Sequence, residues 1–233
     1  MRTTICTLLA AALLPAAAFA SAGEVTYLEG GAKRTPEKGK AAPLAAKATV
    51  EQGDLIETEA NGRLEITLSD KSIVRLGPSS RLTLDEAAFT DTSRSFKATL
   101  LLGRVWSHVT KAFSGDKNFE VKTERAVAGV RGTIFRVEAE KSKAVTVKVY
   151  EGSVAVAGNP AATSAAAPKK GEHVPVPGPV EVTKKEWEKI VGQMQQLKVS
   201  AAGVPTDPAD FDLASESKDA WAQWNRKRDE AAP

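Results

Sequence analysis

Val145-Thr146-Val147-Lys148-Val149-Tyr150-Glu151-Gly152-Ser153-Val154-Ala155-Val156 is the stretch on which the fold class turns. Three valines alternate with Thr146 and Lys148, a Glu151-Gly152 turn signal follows, and Val154 and Val156 flank Ala155. Alternate residues of a strand share one face, so this run sets an apolar side against a core and a polar side outward. β-Branched side chains suit such a pleated, half-buried surface. The same period recurs upstream in Leu64, Ile66 and Leu68 around Glu65 and Thr67, in Leu82 and Leu84 around Thr83, and in Phe119 and Val121 around Glu120. Asn61-Gly62, Ser69-Asp70-Lys71, Gly77-Pro78-Ser79, Ser114-Gly115-Asp116 and Gly158-Asn159-Pro160 punctuate these runs. Many short strands with no helical stretch between them predict a mainly β region from about Glu24 to Val176, a solenoid-like or sandwich-like body or a barrel. A doubly wound parallel sheet would need crossover helices, which the pattern does not supply.

The composition sets limits on function. The chain has 233 residues, 42% hydrophobic and 26% charged, with a formal net charge of +3. That is an ordinary globular balance, too nearly neutral for a dedicated nucleic-acid binder. One Cys and two His leave no disulfide framework and no structural zinc set. Thr35–Pro43 and Asn159–Lys170 are rich in Pro, Ala and polar residues and read as exposed loops.

Met1–Ala20 reads MRTTICTLLAAALLPAAAFA. A basic start at Arg2, an apolar run over 5–18 and the small-x-small ending Ala18-Phe19-Ala20 predict a secretory signal cleaved between Ala20 and Ser21. The apolar run is short for a membrane span, and Cys6 lies too early for a lipoprotein site. Cleavage would remove Cys6 and leave a thiol-free chain, periplasmic or secreted, with no transmembrane segment. The expected division is a signal peptide over 1–20, a β-rich domain over 21–182 and a helical C-terminal tail over 183–233.

The tail changes period. Thr183-Lys184-Lys185-Glu186 has the form of a capping box, and Trp187, Ile190, Val191, Met194 and Leu197 follow at helical spacing. A second helical segment is expected around Ser215–Asp229, with Trp221 and Trp224 on one face before Arg226-Lys227-Arg228. The Trp187 stripe is expected to dock on the β-domain, with partner or membrane binding as the alternative. Trp187, Trp221 and Trp224 are the candidate partner contacts.

No nucleophile-and-base set is visible. His108 and His173 each alternate with apolar neighbours and read as solvent-facing strand residues. Asp54, Glu57, Glu59 and Glu65 lack Ca²⁺-loop spacing, so no metal and no cofactor is expected. Gly129-Val130-Arg131-Gly132-Thr133 lacks the Lys-Ser/Thr ending and the helix of a phosphate loop. It reads as a turn feeding a strand over 134–137, with Arg131 exposed or paired.

Three stretches together resemble the FecR domain family. They are Gly53-Asp54-Leu55-Ile56-Glu57-Thr58, Leu64–Leu68 and Leu100-Leu101-Leu102-Gly103-Arg104-Val105. The more specific part is Phe119-Glu120-Val121-Lys122-Thr123, then Val130-Arg131-Gly132-Thr133-Ile134-Phe135-Arg136-Val137, then Val145–Val149 with Glu151-Gly152-Ser153-Val154. The resemblance spans about 50–176 and marks Gly53, Asp54, Thr58, Gly103, Phe119, Thr123, Arg131, Gly132, Thr133, Phe135, Glu151 and Gly152 as motif residues with a structural role. It implies a β-rich, non-enzymatic domain. FecR-like regulators of iron uptake hold this domain in the periplasm, where it senses an outer-membrane receptor. A cytoplasmic anti-sigma segment and a membrane helix complete those regulators. Here the expectation is neither of these, with a cleaved signal instead. The expected function is that of an exported sensor or scaffold component binding another cell-envelope protein. The alternative is a module that binds carbohydrate or peptidoglycan, the cell-wall polymer.

Overall fold

The structure, a computed structural model, describes residues 21–111, 117–159 and 187–231. Its strands are β1 (Ser21–Glu29), β2 (Ala32–Thr35), β3 (Ala42–Pro43), β4 (Thr49–Glu51), β5 (Leu55–Thr58), β6 (Arg63–Leu68), β7 (Ile73–Leu76), β8 (Arg81–Phe89) and β9 (Arg94–His108). They continue with β10 (Lys117–Lys122), β11 (Ala126–Val130), β12 (Ile134–Ala139), β13 (Val145–Glu151), β14 (Val154–Gly158), β15 (Glu188–Val191), β16 (Gln195–Val199) and β17 (Ala209–Asp210). Two helices close the described chain, α1 (Leu213–Glu216) and α2 (Ala220–Glu230). The protein is mainly β, as its alternating runs predict.

The strands form one hydrogen-bonded sheet in two layers, and the long β9 belongs to both. In the first layer the order is β3-β2-β5-β8-β9-β10-β11-β14-β15, with β9 contributing Arg94 to Leu102. In the second the order is β4-β1-β6-β7-β9-β12-β13-β16-β17, with β9 contributing Gly103 to His108. The β9–β10 pair is parallel, and the other pairs are antiparallel. From β10 onward the chain lays down hairpins in alternate layers, β10–β11, β12–β13, β14–β15 and β16–β17, which gives a solenoid-like winding. Gly103 sits where β9 changes layer. Its φ is +91°, and a Cβ there would lie 2.6 Å from the Ser80 Cα, so the position suits glycine alone.

Inward-facing side chains of the two layers fill a single core. Leu82, Leu100, Val121 and Val156 of the first layer and Leu64, Ile66, Val147 and Leu197 of the second belong to one buried cluster. Phe119 bridges the layers, stacked on Phe96 at 4.7 Å and edge-on to Phe135 at 6.3 Å.

The first tail segment is not helical where it is described. Glu188–Val191 and Gln195–Val199 are strands, added to β14 and β13 respectively. Two free ladder edges offer backbone partners there, and that outweighs a helical spacing interrupted by Gly192. Met194, at φ +61°, makes the turn between them. Strands β15 to β17 thus extend the β body past the expected boundary at 182. The capping-box residues Thr183–Glu186, His173 and the signal residues through Ala20 lie outside the described residues. Ser21 is in β1, opposite Glu51.

Candidate functional site

The outward face of the second layer is not a solvated face. Register places Tyr27, Glu65, Arg75, Trp106, Arg136 and Lys148 in one row across β1, β6, β7, β9, β12 and β13. Strand alternation alone would expose every one of them. Instead Glu65, Arg75, Trp106 and Arg136 are buried, Arg75 at 1% exposure and Trp106 at 0%. The cover is the C-terminal strap of residues 211–231, which carries α1 and α2.

The strap holds on by charge and by indole rings. Phe211 enters it by donating its N–H to the Met194 carbonyl at 3.0 Å, and its ring stands edge-on to Tyr150 at 5.3 Å. Asp212 caps α1, accepting from the Ala214 N–H at 2.8 Å, and Asp219 caps α2, accepting from the Trp221 N–H at 3.0 Å. Glu216 accepts from Arg136 Nη1 at 3.2 Å and from the Tyr150 hydroxyl at 2.7 Å, and it pairs with Lys148. Besides capping, Asp219 lies 3.0 Å from Arg136 and 3.2 Å from Arg104. At the far end Asp229 accepts from Arg75 Nη1 at 2.5 Å and from Trp106 Nε1 at 2.8 Å. Arg228 reaches Glu65 with two parallel bonds of 2.8 and 2.9 Å.

Trp221 is 3% exposed, edge-on to Trp106 at 6.3 Å, with the guanidinium groups of Arg104 and Arg136 over it. Trp224 is half-buried beside Tyr27 at 5.5 Å, with Arg228 5.2 Å above it. Two of the three indoles read from the sequence as partner contacts are therefore engaged within the chain. Trp187 packs on the main core and donates to the Gly203 carbonyl at 3.2 Å. His108 is on the outward face as expected, its side chain 34% exposed, and the strap brings Asp229 to 3.4 Å from its Nδ1.

Burial pushes several of these carboxyls up, and their partners more than reverse it. For Glu65 the bonds from Arg228 and Arg75, the charge of Arg75 and the Thr26 hydroxyl outweigh burial and hold the pKa at about 2, against an ordinary 4.5. Glu216 is held low against burial by Lys148, Tyr150 and Arg136, and Asp219 by Arg136, the N–H of Ala222 and Arg104. A carboxyl whose folded pKa is depressed stabilises the fold above its unfolded pKa and loses that contribution as pH falls through the folded value. Glu65 should therefore contribute roughly 3 kcal/mol that is full above about pH 4.5 and fades toward pH 2. Denaturant unfolding of the wild type and Glu65→Gln across that range should show a large gap at pH 6 that closes near pH 2. A gap independent of pH would contradict this.

A cavity of about 620 Å³ opens beside the Arg228 end, bounded by Glu65, Lys71, Arg75, His108 and Arg228. Among the described residues no group of three or more His, Cys, Asp or Glu is placed to hold a metal ion. No helix of the described residues is long and apolar enough to cross a membrane.

Residues 54–155 match the family model described as FecR protein. Those residues form a FecR domain. It runs from β5 into β14, so the strap lies outside the matched span. Similar solved structures include "a putative anti-sigma factor from Parabacteroides distasonis ATCC 8503", known at 1.65 and 2.50 Å. Both are 19% identical and cover 68% of this chain, with TM-scores of 0.47 and 0.48. The match spans 60% of that protein's length. No curated protein matches the chain.

Within the FecR domain and at its margin, most motif residues close turns or fill the core. Gly53 has φ +87° and donates its N–H to the Leu84 carbonyl at 2.7 Å. Asp54, 1% exposed, accepts from the Glu51 N–H at 2.7 Å and pairs with Arg34 at 2.7 Å. Thr58 donates to the Gly77 carbonyl and accepts from the Ser80 N–H. Thr123 accepts from the Ala126 N–H and donates back to the Ala126 carbonyl. Thr133 donates to the Arg131 and Ser153 carbonyls, which ties the Gly132 turn (φ +58°) to the Gly152 turn (φ +84°). Phe119 and Phe135 are core residues. Arg131 is exposed, and Glu151 is exposed beside Lys111 at 3.2 Å.

Proposed function

We propose that this chain is an exported FecR-domain protein without enzymatic chemistry, acting as a sensor or scaffold component by binding another cell-envelope protein. The observation that carries the reading is the FecR match over 54–155, set beside an outward face able to hold a helical segment by ion pairs and indoles. Such a face has the makeup of a protein interface, where Trp, Tyr and Arg supply the anchors. The Met1–Ala20 pattern supports export and Ser21 as the first mature residue. Among the described residues no aromatic side chain is fully exposed, which disfavours the alternative of a polymer-binding platform.

Photo-crosslinking in intact cells tests the reading, with the reactive group at Leu101, Ile190 or Tyr27 in separate variants. The expected result is capture of one and the same envelope protein, by a chain whose N-terminus is Ser21. Capture at none of the three positions, or a chain retaining Met1, would overturn it.

A further inference from the structure

We infer that the outward face of the second layer is a docking site for a tryptophan-bearing helical segment of the partner that presents carboxylates to its arginines, and that residues 211–231 are its resident occupant. The inference rests on the protein-binding reading above and adds the surface and the chemistry of what it takes.

Three observations carry it. First, the strap is not part of the main core. Trp221 and Ala222 form a small cluster of their own with Trp106, fringed by Ile134, Tyr150 and Trp224, separate from the cluster that joins the two layers. A segment with few apolar contacts and its own cluster is the kind of unit that opens while the rest stays folded. Second, beyond the Phe211 N–H bond to Met194 and the Arg75 bond to the Asn225 carbonyl, its hold runs through side chains. The pairs Glu216–Arg136, Glu216–Lys148, Asp219–Arg104, Asp229–Arg75 and Arg228–Glu65 span the face end to end. Helix α2 has only 11 residues, too few to persist alone in water, so leaving the face and losing the helix are one event. Third, release would uncover Arg75, Arg104, Arg136 and Lys148 against Glu65 and Glu138, a surface with an excess of cations around the Trp106 ring. These groups regain water when bare, and they favour an occupant that brings carboxylates and an indole, as the strap does.

The test uses the full chain with a site-specific protease sequence inserted between Ala201 and Ala202. Both residues are exposed, in a turn where a side chain added at Gly203 (φ +81°) would meet nothing within 4 Å. After cutting, a fluorescent synthetic peptide of residues 205–231 is offered as the competing strap. The expected result is exchange to one peptide per domain, with binding at least tenfold weaker for a peptide carrying Glu216→Gln, Asp219→Asn and Asp229→Asn. No exchange even in 1 M salt would overturn the inference, and so would equal binding of the neutral peptide. A readout on the uncut chain is hydrogen exchange: amides of α2 should exchange at least tenfold faster than those of β12 and β13. Equal protection would make the strap an inseparable part of the fold and overturn the inference. The cellular crosslinks separate this from the broader reading. Capture from Leu101 or Ile190 and not from Tyr27, which is on the face itself opposite Glu65, would remove the face and keep the partner. Peptide exchange with no capture anywhere would do the reverse.

Discussion

Phe119→Ala is expected to destabilise the protein by about 3–5 kcal/mol, read as a lower denaturant midpoint at unchanged slope. The ring is 1% exposed, stacked on Phe96 at 4.7 Å and edge-on to Phe135 at 6.3 Å, with the Arg94 guanidinium 5.6 Å from its centre. Phe96 belongs to the first layer and Phe135 to the second, so truncation opens a cavity where the layers meet. Pair geometry adds about 0.5–1.5 kcal/mol to the loss of buried area. Phe119→Leu keeps most of the volume and should cost no more than about 1.5 kcal/mol plus that aromatic part. An alanine variant within about 1 kcal/mol of wild type would mean that the layers are not joined there.

The same residue shows what a sequence can reveal. Phe119 lies in a clean alternation with Val121, and register then puts both inward. The β-rich body was legible because each strand carries its own period, independent of what it packs against. The layer change in β9 was not. Leu100-Leu101-Leu102 breaks the alternation, Leu101 is 51% exposed, and beyond Gly103 both Val105 and Trp106 are buried. The docking face was hidden for a related reason. Glu65 and Arg75 sit at outward positions that a local reading gives to solvent, and the cover that buries them lies some 150 residues away. One signal was available: Trp106, a large ring at an outward position between Val105 and Ser107, needs something over it. Ile190 and Val191 misled for the opposite reason. Their helical spacing was genuine, and two open ladder edges overrode it.

Arg136→Met is expected to cost about 3 kcal/mol, and the loss should be concentrated in the strap. Arg136 is 4% exposed, donates to Glu216 at 3.2 Å and to Glu138, and lies 3.0 Å from Asp219. Removing one partner of a buried ionic set typically costs about 3–5 kcal/mol, because the groups left behind are neither paired nor hydrated. Here Glu216 and Asp219 have an exit. Once the strap lifts they return to water, so the loss cannot exceed the free energy that holds the strap down, which places the effect at the lower end of that range. Trp221 and Trp224 should therefore report a transition at lower denaturant than far-ultraviolet circular dichroism, which follows the strands. In wild type the two transitions should lie closer together. Pairing Arg136→Met with Glu216→Met removes both charges and should lose less than the two single variants summed, since neither is then left buried alone. Strict additivity, or coincident transitions in Arg136→Met, would show that the charges act independently and that the strap does not move as a unit.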